Sequence, residues 1–400
     1  MSSPVPCASS PSKRIFISTG EVSGDLQGAL LVEALRRQAI ATRWELEILA
    51  LGGDRMAKAG ATLVANTISI GSVGPWESLP FVLPTLKIQR RAKQYLQQHP
   101  PDLVVLIDYG KPNLTLGTYI RRQMPKVPIV YYIAPQMWVW WPERREIGQL
   151  VSIVDKLLAI FPAEARFFQE QGAQVSWVGH PLLDRMASAP SREEARAKLG
   201  IAQTQLSIAL IPASRRQELK YLLPVICEAA RAIQAKLPQV HFWIPLSLEI
   251  YRQPIAEAIE RYGLQATILT DQTLEAIAAA DLAITKSGTV NLEIALLNVP
   301  QVVLYRVSPL TQWIARKLLK FDIPFFSPPN LVAMKSIVPE LLQEQATPEN
   351  ITQAALELLL NPERRQQTFA DYQQMRSCLG EVGVSDRAAQ EILHLLRSEE

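Results

Sequence analysis

Short apolar runs alternate with amphipathic stretches along most of this 400-residue chain. The apolar runs are rich in Val, Ile and Leu, as in strands buried on both faces, and the stretches between them repeat apolar residues at helical spacing. This alternation predicts parallel sheets whose strands are joined by helical crossovers. We predict strands at residues 14–19, 44–51, 102–108, 129–134, 156–161, 206–214, 241–246, 266–271, 281–288 and 301–306.

The strands fall into two series, which predicts an α/β protein of two doubly wound, Rossmann-like domains. We place the first domain at 14–183 and the second at 184–361, and we expect the helices from about 362–400 to pack back on the first. The Pro/Ser-rich segment 1–13 is predicted to be a disordered tail. Ligands of such sheets bind beyond the carboxyl ends of the strands. We therefore expect the loops after "FIST", "LID", "IPAS" and "ITK" to face one cleft.

Composition narrows the class of protein. With 48% hydrophobic and 20% charged residues the chain can bury a large core, and a net charge of +3 is too weak to indicate a nucleic-acid partner. Three widely spaced cysteines suggest neither a disulfide framework nor a zinc site, so a reducing cytoplasm is expected. The opening lacks the apolar segment of a signal peptide, and no run is long enough to span a membrane.

The stretch "LAITKSGTVNLEIALL", within 282–297, joins a strand to a helix through Ser287, Gly288 and Thr289. Backbone N–H groups at such a helix start, together with the helix dipole, favour an anion such as a phosphate. An ordinary strand-to-helix turn has the same pattern, so the turn alone leaves both interpretations open.

The loop "STGEVSGDLQGALL" follows the first strand and carries glycine at every fourth position, which is not the dinucleotide pattern G-x-G-x-x-G. Glu21, Ser23 and Asp25 could hydrogen-bond a sugar or hold a phosphate there. A capped turn with close helix packing remains equally compatible.

Two charged positions follow strands directly. Asp108 comes after five apolar residues, so its carboxylate either projects into the cleft or caps a turn. Arg215 and Arg216 follow the first strand of the second domain, where a guanidinium fork would suit a diphosphate. His180 ends a strand at the domain junction and is open to a structural role or a substrate contact.

The motifs taken together resemble those of the bacterial lipid-A-disaccharide synthase family. They are, in order, "STGEVSGDLQGALL", "LIDYGKPNLTL", "YYIAPQMWVW", "VGHPLLD", "IPASRRQE", "TKSGTVNLEIALLNVPQVVLYRVSPLTQWIARKLL" and "PPNLVA". The resemblance implies a GT-B glycosyltransferase that joins UDP-2,3-diacylglucosamine to 2,3-diacylglucosamine 1-phosphate, giving a β-1,6-linked disaccharide and UDP. It also implies that UDP binds the C-terminal domain and that the acylated acceptor binds the N-terminal one.

The resemblance also implies roles for single residues. Asp108 matches the proposed catalytic base; the acceptor-binding loop matches Gly20, Glu21, Ser23, Gly24 and Asp25; the UDP-binding positions match Arg215, Ser287, Gly288, Thr289, Glu293 and Asn330. Two positions depart from the family pattern. Ala213 stands where many relatives have glycine, a small steric change, and Lys111 stands where many have an acid.

No cofactor or metal is expected, because the four histidines lack ligand spacing and no Asp-x-Asp pair is present. A related UDP-sugar enzyme, such as a UDP-N-acetylglucosamine 2-epimerase, and a non-catalytic lipid- or nucleotide-binding homologue are the alternatives. Segment 75–96 mixes aromatic, apolar and basic residues, which suits either an anionic membrane interface or a core helix with a basic face. We expect a cytoplasmic protein on the inner membrane and leave monomer and homodimer open.

Overall fold

The computed structural model describes residues 12–20, 22–68, 82–135, 144–213, 216–306 and 325–397. Over these residues the chain forms two parallel sheets flanked by helices. The first sheet contains β1 (Ser12–Ser18), β2 (Glu45–Gly52), β3 (Thr62–Asn66), β4 (Leu103–Ile107), β5 (Ile129–Tyr132), β6 (Lys156–Ala159) and β7 (Val175–Trp177). Their order in space is 3-2-1-4-5-6-7.

The second sheet has the order 10-9-8-11-12-13. Its strands are β8 (Ser207–Ile211), β9 (His241–Pro245), β10 (Ala266–Leu269), β11 (Leu282–Lys286), β12 (Gln301–Tyr305) and β13 (Glu340–Leu342). Every residue of the two central strands β4 and β8 is buried, as expected of strands covered by helices on both faces.

Helices connect successive strands along the chain, and three more follow the last strand. In the first half they are α1 (Val22–Thr42), α2 (Asp54–Lys58), α3 (Val82–Gln98), α4 (Gly110–Gln123), α5 (Arg144–Ile153), α6 (Pro162–Glu170) and α7 (Leu182–Met186). They continue as α8 (Arg192–Leu199), α9 (Arg216–Lys236), α10 (Arg252–Tyr262), α11 (Thr273–Ala278), α12 (Val290–Leu296), α13 (Pro328–Ala333), α14 (Pro348–Leu360), α15 (Pro362–Ser377) and α16 (Val384–Arg397), with short 3₁₀ turns at Glu249–Tyr251 and Gln343–Gln345. None of the helices in these ranges combines the length and apolar character needed to cross a bilayer.

Each sheet has a point at which its strand order reverses. In the first sheet β1 pairs with both β2 and β4, and in the second β8 pairs with both β9 and β11. Crossovers leave such a point in opposite directions and open a crevice at the carboxyl ends of the strands. The predicted loops after β1 and β4, and those after β8 and β11, lie at these two points.

The chain divides into two compact units, residues 1–184 with 380–400 and residues 185–379. Helix α16 packs on α1 of the first unit. We predicted that the chain returns to the first domain at about residue 362, which is too early, because α15 belongs to the second unit. Tyr372 of α15 is fully buried and donates its hydroxyl to the Val299 carbonyl, while Arg376 donates to the Ala295 carbonyl.

The predicted tail also ends slightly too late, since β1 begins at Ser12 and already pairs there with Glu45. Residues 1–11 lie outside the described ranges.

Candidate functional site

The loops after β1 and β4 meet at the reversal point of the first sheet. Ser18 lies opposite Leu106 in the parallel register, so Gly20 extends toward the residues that follow β4. A Cβ atom at Gly20 would lie 2.1 Å from the ring of Tyr109. A side chain at this position would displace the Tyr109 ring, so the loops after β1 and β4 are packed closely together here.

Asp108 sits directly beyond β4 in a left-handed backbone conformation, with φ of 46°, and Tyr109 follows it with φ of 56°. Few residues other than glycine occupy this region, and such strain collects at functional sites. The Asp108 N–H donates to the Ile133 carbonyl at 3.1 Å. Ile133, just beyond β5, is itself left-handed with φ of 60°, which is unusual for a β-branched residue.

Two buried side chains hold the strained segment in place. Asn113, in the first turn of α4, donates to the carbonyls of Ile107 and Asp108 and accepts the Ser18 hydroxyl at 2.7 Å. Tyr131 of β5 donates its hydroxyl to the Asp108 carbonyl at 2.7 Å. Three neighbouring strands thus contribute to the conformation of Asp108.

Burial and the nearby Asp108 carboxylate together raise the pKa of Tyr131 well above its usual value. Tyr131 therefore stays a neutral hydrogen-bond donor at physiological pH. Asn113 and Tyr131 were not predicted as site residues, although they stand in the motifs "LIDYGKPNLTL" and "YYIAPQMWVW".

The acceptor-loop residues separate into different roles. Asp25 is buried, and its carboxylate accepts the N–H groups of Gly53, Arg55 and Met56 at 2.8–3.2 Å, so it caps α2. Ser23 is exposed in the first turn of α1, Gly24 packs against Thr19, and Glu21 lies outside the described residues.

Lys111, the departure from the family pattern, is exposed at the start of α4. Its Nζ atom lies 3.5 Å from Glu146 Oε1 of α5. The basic substitution is thus paired with an acid from the neighbouring helix.

In the second unit the Ser287–Thr289 turn lies at the reversal point between β8 and β11. The Gly288 N–H donates to the side chain of Asn291 at 2.7 Å, and Asn291 donates in return to the Lys286 carbonyl at 3.2 Å. A Cβ atom at Gly288 would lie 2.6 Å from Lys286 Nζ. The lysine ammonium group thus lies over the turn, and its Nζ atom is 3.9 Å from Glu218 Oε1 of α9, which partly balances the positive charge at the helix start.

The Pro329–Leu331 motif is joined to that turn. Ser287 donates its hydroxyl to the Phe326 carbonyl at 2.6 Å, and Glu340 accepts from the N–H groups of Phe326 and Ser327. Glu340 Oε1 also accepts from Asn330 at 2.7 Å. Two motifs far apart in sequence therefore form one hydrogen-bonded unit.

Asn330 itself is fully buried, and all the hydrogen-bonding groups of its side-chain amide have partners. Its amide donates to Val338 O and Glu340 Oε1 and accepts the N–H groups of Ile337 and Val338 at 2.7–2.9 Å. An amide has two donors and two acceptor lone pairs, so this geometry favours a positioning role for Asn330 over a direct contact with a nucleotide.

Glu293, in the first turn of α12, is buried and lies 2.5 Å from Arg185 Nη1 through its Oε1 atom. Burial raises the pKa of Glu293, and the guanidinium only partly offsets that effect. Arg185 was not predicted from the sequence.

Arg215 lies outside the described residues, whereas Ala213 is buried and its carbonyl accepts the Ser247 hydroxyl at 2.9 Å.

His180 is buried beside Phe161, with ring centroids 5.3 Å apart, and its Nδ1 atom accepts the Leu182 N–H at 3.1 Å. Burial lowers its pKa to about 4, so it is neutral at physiological pH. These contacts agree with the structural interpretation of His180.

In the described part of the chain no group of three or more His, Cys, Asp or Glu side chains is arranged to hold a metal.

Comparisons with known proteins cover nearly the whole chain. Residues 15–394 match the family model described as lipid-A-disaccharide synthetase. A lipid-A-disaccharide synthase of Gloeothece citriformis is 64% identical over 95% of this chain and 99% of its own length. One of Synechocystis is 59% identical over 97% of this chain and 99% of its own.

Solved structures resemble the fold at low sequence identity. The Staphylococcus aureus MnaA–UDP co-structure has a TM-score of 0.64 at 17% identity and covers 96% of this chain and 97% of its own. MurG of Acinetobacter baumannii has a TM-score of 0.56 at 16% identity, covering 96% of this chain and all of its own. The predicted α/β class with two Rossmann-like units of GT-B type is confirmed.

Proposed function

The chain belongs to the lipid-A-disaccharide synthase family, and from this premise we propose the following reaction and division of roles. The enzyme transfers a 2,3-diacylglucosamine unit from its UDP carrier to 2,3-diacylglucosamine 1-phosphate. The C1–O bond to UDP breaks, a new C1–O bond forms to the 6-hydroxyl of the acceptor, and UDP leaves. The hydroxyl must lose a proton as it attacks, so a base is required.

Asp108 is the proposed base. The observation that carries this assignment is its place at the carboxyl end of a central strand, in a strained backbone held by Asn113, Tyr131 and Ile133. A fixed backbone can aim a carboxylate within hydrogen-bond reach of a bound hydroxyl, which proton transfer requires. The proposed acceptor loop consists of Gly20, Glu21, Ser23 and Gly24. Asp25 supports this loop by capping α2.

The second unit is proposed to bind UDP. Negative charge develops on the departing diphosphate, and we assign Arg215, Lys286 and the Ser287–Thr289 turn to stabilise it. Glu293 is assigned to the ribose, with Arg185 holding one of its oxygens. Asn330 supports the turn through Glu340 and Ser287. This distribution of charge supplies what a divalent cation would otherwise provide, so turnover is expected to persist in excess EDTA.

Product analysis tests the reaction. The purified protein is incubated with both acylated substrates, and mass spectrometry is expected to detect the disaccharide 1-phosphate together with one UDP per disaccharide. UDP release that does not require the acylated acceptor would indicate a hydrolase or an epimerase-like enzyme instead. UDP binding without any turnover would indicate a non-catalytic homologue.

We also propose that the protein works at the cytoplasmic face of the inner membrane. Both substrates carry acyl chains, and each buried CH₂ stabilises a lipid in the bilayer by about 0.8 kcal/mol, so the enzyme must approach them there. The described part of segment 75–96 supports this: α3 exposes Leu83 and Leu86 at 70% and 58% beside Lys87 and Arg90. Residues 75–81 lie outside the described ranges.

A further inference from the structure

Arg185 and Glu293 form an ion pair that links two segments 108 residues apart within the second unit. Arg185 lies near the end of α7, and Glu293 lies in the first turn of α12. The Nη1 atom of Arg185 donates to Glu293 Oε1 at 2.5 Å. The glutamate side chain is 8% exposed and the arginine side chain 36%, so the pair extends from the interior to the surface.

The two carboxylate oxygens of Glu293 differ in their surroundings. Oε1 accepts the guanidinium, whereas no residue of the described ranges donates a hydrogen bond to Oε2. Oε2 does not belong to the sealed, partnerless oxygens of this part of the chain, so it retains contact with solvent. Each oxygen of an ionised carboxylate can accept two hydrogen bonds. Oε2 is therefore available to a donor on a ligand.

Glu293 stands one helical turn beyond the proposed diphosphate turn. It follows Thr289 by four residues, which is about 6 Å along a helix that rises about 1.5 Å per residue. In UDP the group bonded directly to the diphosphate is the ribose, and its neighbouring hydroxyls are hydrogen-bond donors. A buried carboxylate with one oxygen open to solvent therefore lies where a ribose hydroxyl is expected.

We propose that Arg185 is a positioning residue: it holds Glu293 Oε1 so that Oε2 accepts the ribose 2′-hydroxyl, which makes the site selective for ribonucleotides over deoxyribonucleotides. The proposal rests on the UDP site proposed above and extends it from binding to selectivity. Hydrogen bonds to an ionised oxygen are stronger than those to a neutral one, and a carboxylate already fixed by a guanidinium loses less freedom when a ligand binds. A deoxyribonucleotide cannot supply that hydrogen bond to Oε2.

The energetics favour this role over a purely structural one. Burial raises the pKa of Glu293, and the guanidinium offsets that effect only in part. A buried ion pair contributes little net stability compared with apolar residues of the same volume, because both charges must leave water. A ribose hydroxyl that donates to Oε2 supplies a hydrogen bond that the described residues do not provide. The pair is thus better suited to binding a ligand than to stabilising the fold.

Calorimetry with UDP and 2′-deoxy-UDP tests the proposal, because the two nucleotides differ only at the 2′-hydroxyl. The wild type is expected to bind UDP roughly tenfold to a hundredfold more tightly, the range for a hydrogen bond to a charged group. In Arg185→Met and in Glu293→Gln this affinity ratio should fall toward one, mainly through weaker binding of UDP. Combining both changes should lower the ratio no further, because the two side chains act as one unit.

Arg192→Met is the matched control. Arg192 Nη2 lies 2.7 Å from Asp281 Oδ1, and the two side chains are 37% and 17% exposed, similar to those of the proposed pair. Asp281 immediately precedes β11, so this second pair lies at the amino end of the strand, opposite the UDP turn. The control removes one partner of a comparable ion pair, as Arg185→Met does, but it should leave the ratio of the two nucleotide affinities unchanged.

Arg185→Lys keeps the positive charge but not the planar fork, so its affinity ratio should lie between those of the wild type and Arg185→Met. It also tests the proposal if Arg185→Met does not fold. Equal binding of both nucleotides by the wild type, an unchanged ratio in the Arg185 variants, or an equal loss of the ratio in Arg192→Met overturns the proposal. A wild type that binds neither nucleotide, or that forms no disaccharide, instead overturns the proposed function, so the two failures are distinguishable.

Discussion

Asp108 and Tyr109 occupy a backbone region that costs about 1–3 kcal/mol for each residue other than glycine. The surrounding hydrogen bonds offset this cost. The side chain of Asn113 makes three of them, to the carbonyls of Ile107 and Asp108 and to the hydroxyl of Ser18. These contacts hold the backbone of Asp108 and so fix the point from which its side chain extends. The local geometry therefore favours the catalytic interpretation of Asp108.

Asp108→Asn keeps the size of the side chain but cannot accept the proton, so we expect disaccharide formation to fall by roughly a hundredfold or more. UDP affinity, measured by calorimetry, should stay unchanged. Arg215→Ala is the matched variant: it should weaken UDP binding clearly, because a guanidinium contributes more than one helix-terminal interaction of about 0.3–1 kcal/mol. Activity of Asp108→Asn within a few-fold of the wild type would return Asp108 to a turn role.

The sequence predicted where several of these residues lie but not what each contacts. Asp108 was placed correctly because an apolar run ending in an acid marks the end of a buried strand. The tasks of Asp25 and Asn330 were not predictable in this way. Asp25 caps a helix 28 residues further along the chain, and Asn330 bonds backbone groups that only the fold brings to it.

At the level of elements, the predicted and observed ends of the ten predicted strands agree to within three residues, because a continuous apolar run is a strong signal. Three strands were missed: β3, β7 and β13. Each is a strand of three to five residues at a sheet edge and only partly buried, so its sequence carries little apolar pattern.

Segment 75–96 was predicted to be either a membrane interface or a core helix with a basic face, and helix α3 has features of both. Its inner face buries Gln89, Ala92 and Leu96, and its outer face carries Leu83, Leu86, Lys87 and Arg90. Lys93 does not belong to the outer face, because its Nζ atom lies 5.0 Å from the centre of the Tyr119 ring.

Replacing both Lys87 and Arg90 with Glu should reduce binding to liposomes containing anionic lipid by roughly tenfold or more, since each basic residue near such a surface contributes about 1 kcal/mol. The control replaces exposed Arg122 and Lys126 with Glu, which changes the net charge equally. Sedimentation with liposomes measures both variants. Equal loss of binding in the two variants would show that net charge alone governs binding, and unchanged binding in the α3 variant would assign docking to another surface.

For the whole molecule, the sequence predicted two domains because the strand series is interrupted once. It did not locate the return of the chain to the first unit, because the contacts that assign α15 to the second unit and α16 to the first form only in the fold. The return is held by Asp184, whose carboxylate accepts the N–H groups of Gly383, Val384 and Ser385 at 2.6–3.0 Å. Asp184 thus caps α16 from a point 200 residues earlier.

Asp184→Ala should lower the free energy of unfolding by about 0.5–2 kcal/mol at neutral pH, the usual cost of a lost cap. Burial raises the pKa of Asp184, but the hydrogen bonds from these N–H groups outweigh it and hold the pKa below its usual value. The stabilisation is therefore complete above the unfolded value and is lost as pH falls through the folded one. Thermal melts of Asp184→Ala and the control Glu33→Gln, which alters an exposed α1 residue, should differ at pH ~7 and converge as the pH falls through the folded pKa of Asp184. A difference that persists in acid would contradict this assignment.

The assignment of α16 to the first unit also determines the order in which the protein is built. Residues 12–184 leave the ribosome early, but the helix that covers α1 emerges only after the second unit, whose roughly 200 residues take about 10–40 s to synthesise at about 5–20 residues per second. During that interval the surface of α1 that α16 covers lacks its native neighbour and is open to chaperones or to aggregation. A tag or truncation at the carboxyl terminus therefore perturbs the unit that was synthesised first.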